Sequence, residues 1–183
     1  MQNNAFDLNF LYQTYNLLVY NVALNYVQNV EDAEEITQDV FVKVNYSLKN
    51  FNQKSSLKTW IYRITVNQSL DFIKKKNSQK RFFIFGKRNE NEYDYLNASA
   101  FEHPGIELEK KEEAELLFTT INTLPENQKT AFILSKIDGL SNPVVAEIME
   151  ISISAVESLV FRAKSSLKDK LAHKYLEYRK NKK

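Results

Sequence analysis

Apolar residues recur at helical spacing through most of the chain. In 31–49, Ala33, Ile36, Val40 and Val44 fall at i, i+3, i+7 and i+11, one face of a helix. Residues 5–28 are helical by the same test, with Phe6, Phe10, Leu17, Tyr20 and Leu24 as the expected inner face. A short break at 51–56 precedes a stretch from about Leu57 to Lys76 carrying Trp60, Ile61, Ile64, Leu70 and Ile73, with a bend expected near Asn67. A second block predicts one helix over 107–122 and another from Thr123-Leu-Pro-Glu126 to about Ile137, ended by Gly139. A short helix from Asn142-Pro143 to Glu150 follows, then a longer one with Val156, Val160, Ala163 and Leu167 facing inward. Thr123 with Glu126 and Ser154 with Glu157 have the spacing of capping boxes.

Composition supports an all-α reading. The 183 residues include three glycines and three prolines, too few to supply the tight turns of a sandwich or barrel. With no cysteine, disulfides, thiolate catalysis and most structural zinc sites are excluded. The two histidines, His103 and His173, have no partners at ligand spacing, so neither a metal nor another cofactor is expected. No run approaches the roughly 18 apolar residues of a membrane span, and the polar start Met1-Gln2-Asn3-Asn4 is unlike a signal peptide. A soluble, cytoplasmic chain without membrane insertion is expected.

Charge is segregated although the formal net charge is only +2. Residues 74–88 hold Lys74, Lys75, Lys76, Lys80, Arg81, Lys87 and Arg88 and no acid. Residues 90–115 are strongly acidic, and 162–183 are basic again. Such blocks point towards a nucleic-acid partner. The stretch Asn77–Gly105 is polar and aperiodic apart from the apolar patch Arg81-Phe82-Phe83-Ile84-Phe85, and reads as a linker.

Three constellations could carry function. From Asn142 to about Lys170 the proportions are those of a helix-turn-helix. With the stripe at 156, 160, 163 and 167 inward, Glu157, Ser158, Phe161, Arg162 and Ser165 face outward. Arg162 suits guanine or phosphate, Glu157 suits either cytosine N4 or its place in the capping box, and Phe161 suits a thymine methyl or a neighbouring helix. The second constellation, Phe51 to Asn67, interleaves Lys58, Trp60, Tyr62 and Arg63, a pattern fit for stacking on single-stranded bases. A core role for Trp60 is the plainer alternative. The third, Glu31 to Asp39, is acidic at a helix start, which complements the helix dipole or offers a partner-binding face.

These segments, in this order, resemble the bacterial sigma-70 family, in particular its compact extracytoplasmic function (ECF) group. The resemblance rests on Asp32-Ala-Glu-Glu-Ile-Thr-Gln-Asp-Val-Phe41, Leu57-Lys-Thr-Trp-Ile-Tyr-Arg-Ile-Thr-Val-Asn67 with Asp71, Leu124-Pro-Glu-Asn-Gln128 and Asp138-Gly-Leu-Ser141. It implies a sigma-2 helical bundle (1–77), a flexible linker (78–106), a sigma-4 helix-turn-helix domain (107–173) and a basic tail (174–183). It implies a non-enzymatic factor that takes core RNA polymerase to promoter DNA, with contacts to both large polymerase subunits and control by an anti-sigma factor. Glu35, Gln38 and Asp39 match its polymerase-docking positions. Phe51, Trp60 and Asn67 match positions at the melted −10 strand, with Lys58, Thr59 and Arg63 beside them. The −35 element falls to Glu157, Ser158, Phe161, Arg162 and Lys164. Family members often carry Arg where this chain has Glu157 and Leu159, so base preference does not carry over and Arg162 and Lys164 become the stronger contacts. A helix-turn-helix regulator acting without polymerase is the alternative.

Overall fold

The computed structural model describes residues 7–51, 53–86, 103 and 110–181, and these contain helices and no strand. The chain divides into two compact units, Met1–His103 and Pro104–Lys183.

In the first unit, α1 (Leu8–Val27), α2 (Val30–Ser47) and α3 (Leu57–Gly86) pack against one another, and a single 3-10 turn, Leu48–Asn50, follows α2. The α1–α2 corner is built from polar residues. Gln28 adopts the left-handed region at φ 49° and its N–H donates to the Leu24 carbonyl at 2.8 Å. Asn29 then caps α2, its Oδ1 accepting from the Asp32 N–H at 2.8 Å. Ala33, Ile36, Val40 and Val44 are buried as their spacing requires, and meet Leu11, Val19, Ala23, Leu24, Ile61 and Ile64. Thr65 and Ser69 are also fully buried. Each hydroxyl donates to the carbonyl four residues earlier, at 2.8 Å, so neither is left unsatisfied. Asp32 and Lys76 form an ion pair that ties the start of α2 to α3, and Lys43 Nζ donates to Gln68 Oε1 at 3.3 Å near the other end.

Two expectations change here. Phe10 and Leu17 are 53% and 67% exposed rather than inward. Helix α1 is apolar on several sides, and packing selects the row through Leu11, Val19, Val22 and Tyr26. Phe6 lies outside the described residues. Helix α3 runs unbroken through Asn67 to Gly86, ten residues past Lys76, so the first part of the expected linker is helical. No helix-breaking residue stands before Gly86 to stop it. Most of the remaining linker, with much of the acidic stretch, lies outside the described residues, as do the side chains of the Arg81–Phe85 patch.

The second unit holds α4 (Lys111–Ile121), α5 (Glu126–Phe132) continuing into a π turn (Ile133–Ile137), α6 (Asn142–Met149) and α7 (Ile153–Asn181). Helices α4, α5 and α6 all pack on α7. Phe118, Ile121, Leu124, Ala131, Ile133, Leu134, Val145, Ile148, Val156, Val160, Ala163 and Leu167 are buried. Lys170 Nζ donates to the Thr123 hydroxyl at 2.7 Å and to its carbonyl at 3.3 Å, pinning α7 to the α4–α5 turn. Helix α7 reaches Asn181, so the backbone of most of the expected basic tail is helical.

Neither capping box forms. The Thr123 hydroxyl donates back to the Thr120 carbonyl at 2.7 Å, and α5 starts after Pro125 without a side-chain cap. Ser152, not Ser154, caps α7: its Oγ accepts from the Ala155 N–H at 3.2 Å. The helix therefore starts at Ile153, as soon as the α6–α7 turn allows, with Ser154 already inside it.

Candidate polymerase and nucleic-acid interfaces

On the first unit, Glu35, Gln38 and Asp39 are exposed, on the side of α2 opposite its buried row. At about 100° per residue, Val42 and Tyr46 continue the same stripe towards the C-terminus, and both are exposed. The acidic run alone concealed this second half. Beside it lies a groove between α1 and α2, where Tyr12 and Gln38 meet Leu17, Phe41, Val42 and Tyr46. Tyr12 packs edge-on against Phe41 with ring centroids 4.9 Å apart. Burial pushes the Tyr20 phenol above its ordinary pKa, and the nearby Glu34 and Glu31 charges add to the shift. The face is thus acidic at one end and apolar at the other, suited to a protein partner with complementary charge beside an apolar contact.

At the start of α3, Ser56 is the cap. Its Oγ accepts from the Thr59 N–H at 3.0 Å and lies 2.8 Å from the Thr59 hydroxyl. Thr59 is therefore buried and fixes the helix start rather than presenting itself. Trp60 is half-buried and packed against the core. Its ring meets Phe51 at 5.0 Å between centroids, tilted by 41°. One part of the Trp60 side chain is core, and the rest is open beside Phe51. Arg63 is half-buried, Asn67 is exposed, and both share the Trp60 side of the helix with exposed Lys74. Lys58 is exposed but projects from the far side of α3, so the structure does not bring it to this row.

On the second unit, α6 and α7 are joined by the turn Glu150–Ser152, with Glu150 in the left-handed region at φ 56°. Glu157, Ser158, Phe161, Arg162 and Lys164 are all exposed, with Ser165 and Lys168 beside them. Phe161 keeps 74% of its surface open. The Ser158 hydroxyl is turned back, donating to the Ser154 carbonyl at 3.0 Å. Behind this face, burial lowers the Lys129 pKa below its ordinary value, with Glu126 opposing the shift. Among the described residues no group of His, Cys, Asp and Glu could hold a metal ion, and no helix is long and apolar enough to cross a membrane.

Comparison with known proteins bears on both units. A family model described as sigma-70 region 2 matches residues 11–79, and one described as sigma-70, region 4 matches 114–167. The ECF RNA polymerase sigma-E factor of Haemophilus influenzae is 29% identical over 171 residues, spanning 93% of this chain and 90% of that protein. The chain belongs to the sigma-70 family, in its ECF group. The sigma-E factor of Escherichia coli strain K12 is likewise 29% identical over 173 residues, covering 89% of this chain and 85% of its own. Two solved structures share the ECF sigma factor's fold. Sigma factor RpoE of Bartonella quintana, solved with the anti-sigma factor NepR, gives a TM-score of 0.65 at 22% identity, covering 90% of this chain and 96% of that one. CnrH, solved with the cytosolic domain of CnrY, gives 0.63 at 19% identity, covering 91% and 88%. With a region 2 match the polymerase-independent alternative is not favoured, and this chain is a sigma factor that acts in transcription initiation.

Proposed function

We propose that this ECF sigma factor joins core RNA polymerase through the outer face of α2, captures the melted −10 strand along α3 and reads the −35 element with α7. In this reading, residues 1–77 are the sigma-2 domain, 78–106 the linker, 107–173 the sigma-4 domain and 174–183 a basic tail. Glu35, Gln38 and Asp39 meet the polymerase, with Val42 and Tyr46 extending the contact. Phe51, Trp60, Arg63 and Asn67 meet the single strand, while Thr59 shapes the start of α3. The protein makes and breaks no covalent bond itself, works in the cytoplasm, and is held in check by an anti-sigma factor. The two large polymerase subunits receive the two domains.

The observation that carries this reading is the row Trp60, Arg63 and Asn67 with the Phe51 ring set against Trp60. Melting is then a capture step. Unstacked bases find aromatic surface and hydrogen-bonding groups, and each base stacked on an aromatic ring contributes about 1–3 kcal/mol to the open state. Sigma factor and core polymerase, purified and mixed on genomic fragments, should give run-off transcripts of discrete length. Transcripts independent of the added protein would refute the reading.

A further inference from the structure

The α1–α2 corner also holds the chain where it leaves the first unit. Asn25, in the last turn of α1, is buried, and its carbonyl accepts from Gln28 Nε2 at 2.5 Å. Its Oδ1 lies 3.3 Å from Nε2 of His103, 78 residues further along the chain. An amide oxygen only accepts, so the imidazole Nε2 carries the proton and donates. Helix α3 passes this corner at Lys76, which pairs with Asp32 at the start of α2, and runs on to Gly86, about 15 Å further at 1.5 Å per residue. By His103 the chain is back at the corner, and the boundary between the two units falls directly after that residue.

Resting on the −10 and −35 roles proposed above, we infer that His103 and Asn25 form a latch that shortens the tether between the two domains and must open before both promoter elements are held at once. Chain length decides this. Elements centred at −10 and −35 are about 25 base pairs apart, or about 85 Å at 3.4 Å per pair. A domain of this size has a radius of about 15 Å, so about 55 Å separates the surfaces of domains seated on the two elements. From His103 to Lys111, where α4 begins, is about eight residues, which reach at most about 29 Å. From Gly86 to Lys111 is about 25 residues, enough for about 90 Å. The latched tether is too short for the promoter, and the unlatched one is long enough. The latch therefore keeps the free protein in a form that engages one element at a time, and the binding energy of polymerase and DNA opens it.

Distance measurements on the full chain test this, since it has no cysteine to compete with introduced labels. Lys49→Cys and Lys136→Cys, both at exposed positions, mark one unit each. The labelled protein should give short separations when free. Adding His103→Ala or Asn25→Ala should shift the distribution to longer ones, and core polymerase with promoter DNA should bring all three to the same long distance. Opening costs about one hydrogen bond, so His103→Ala should raise holoenzyme affinity for a promoter with both elements about 2- to 12-fold. Affinity for a template with a scrambled −35 element should not change. Inserting about 20 Gly and Ser residues after Pro104 lengthens the tether beyond the latch. That insertion should raise affinity by the same factor with His103 in place, and His103→Ala should then add nothing. Thermal unfolding identifies any variant that fails to fold, and the insertion variant tests the latch without altering either partner. Equal distances in the free protein with and without the latch residues, or a His103→Ala effect that survives the insertion, would overturn the latch and leave the sigma-factor reading standing. A holoenzyme that initiates at no promoter defeats both.

Discussion

Replacing Trp60 by alanine separates promoter opening from polymerase binding. The side chain has two roles, so the substitution has two expected costs. Removing its packed part and the Phe51 ring contact should destabilise the first unit by about 2–3 kcal/mol, below the 3–5 of a fully buried aromatic because the ring is half-exposed. Losing one stacked base should cost the open complex a further 1–3 kcal/mol or so, about 5- to 150-fold in its population. Asn67→Ala offers the cleaner comparison. Asn67 is exposed on the same row, so it should impair opening with a stability change under about 0.5 kcal/mol. Urea unfolding measures the first cost. Permanganate reactivity of −10 thymines, at sigma concentrations that saturate core polymerase, measures the second. Core binding should persist in both variants, because the α2 face is untouched. Normal permanganate reactivity in Trp60→Ala would refute the stacking role and leave Trp60 as core alone.

Other substitutions probe the remaining surfaces. Asp39→Lys should reduce co-purification with core polymerase while leaving the unfolding midpoint unchanged, since Asp39 is exposed; undiminished recovery would move docking off this face. Ser152→Ala should destabilise the second unit by about 1 kcal/mol and Ser154→Ala by less than about 0.5, as only Ser152 caps α7; the reverse order in thermal unfolding would restore the capping box at Ser154. His103 Nε2 sits 3.3 Å from Asn25 Oδ1, and burial lowers the His103 pKa, with a backbone hydrogen bond opposing. A lowered folded value means the unfolded chain binds more protons, so stability should fall as pH drops below about 6.5 towards that lower value. His103→Asn should flatten this dependence in pH-resolved unfolding; an unchanged slope would assign it to other groups.

Periodicity exposed much of the fold because α2 and α7 each have one apolar side. Ala33 to Val44 and Val156 to Leu167 could face only inward. Helix α1 defeated the same reasoning: with apolar residues on several sides, only its neighbours decide that Leu11 is covered and Leu17 is not. The aromatic and cationic mixture of α3 was visible as composition. Yet whether a residue is on the working row depends on phase, which removes Lys58 and turns Thr59 inward. At the helix starts, the spacing of Ser154 and Glu157 was a true pattern with a competitor two residues earlier. Ser152 won because the turn after Glu150 is short. The apolar half of the α2 face, Val42 and Tyr46, carried a readable signal: two large apolar residues out of phase with the buried row.

The π turn at Ile133–Ile137 bears on how this protein can vary. Its Asp138 N–H reaches back five residues to Ile133 at 2.9 Å, and the Leu140 N–H reaches Leu134 at 3.0 Å. The widened turn accommodates one residue more than an α-helical path would. Ile133, Leu134 and Ser135, consecutive in sequence, are all buried there. Chain length between Pro125 and Gly139 is therefore a counted quantity. Deleting a single residue would let the segment tighten into ordinary helix, but it would rotate everything before α6 by about 100°. Drift in this lineage should accordingly pass through substitutions at exposed positions such as Lys136, and gaps should accumulate elsewhere.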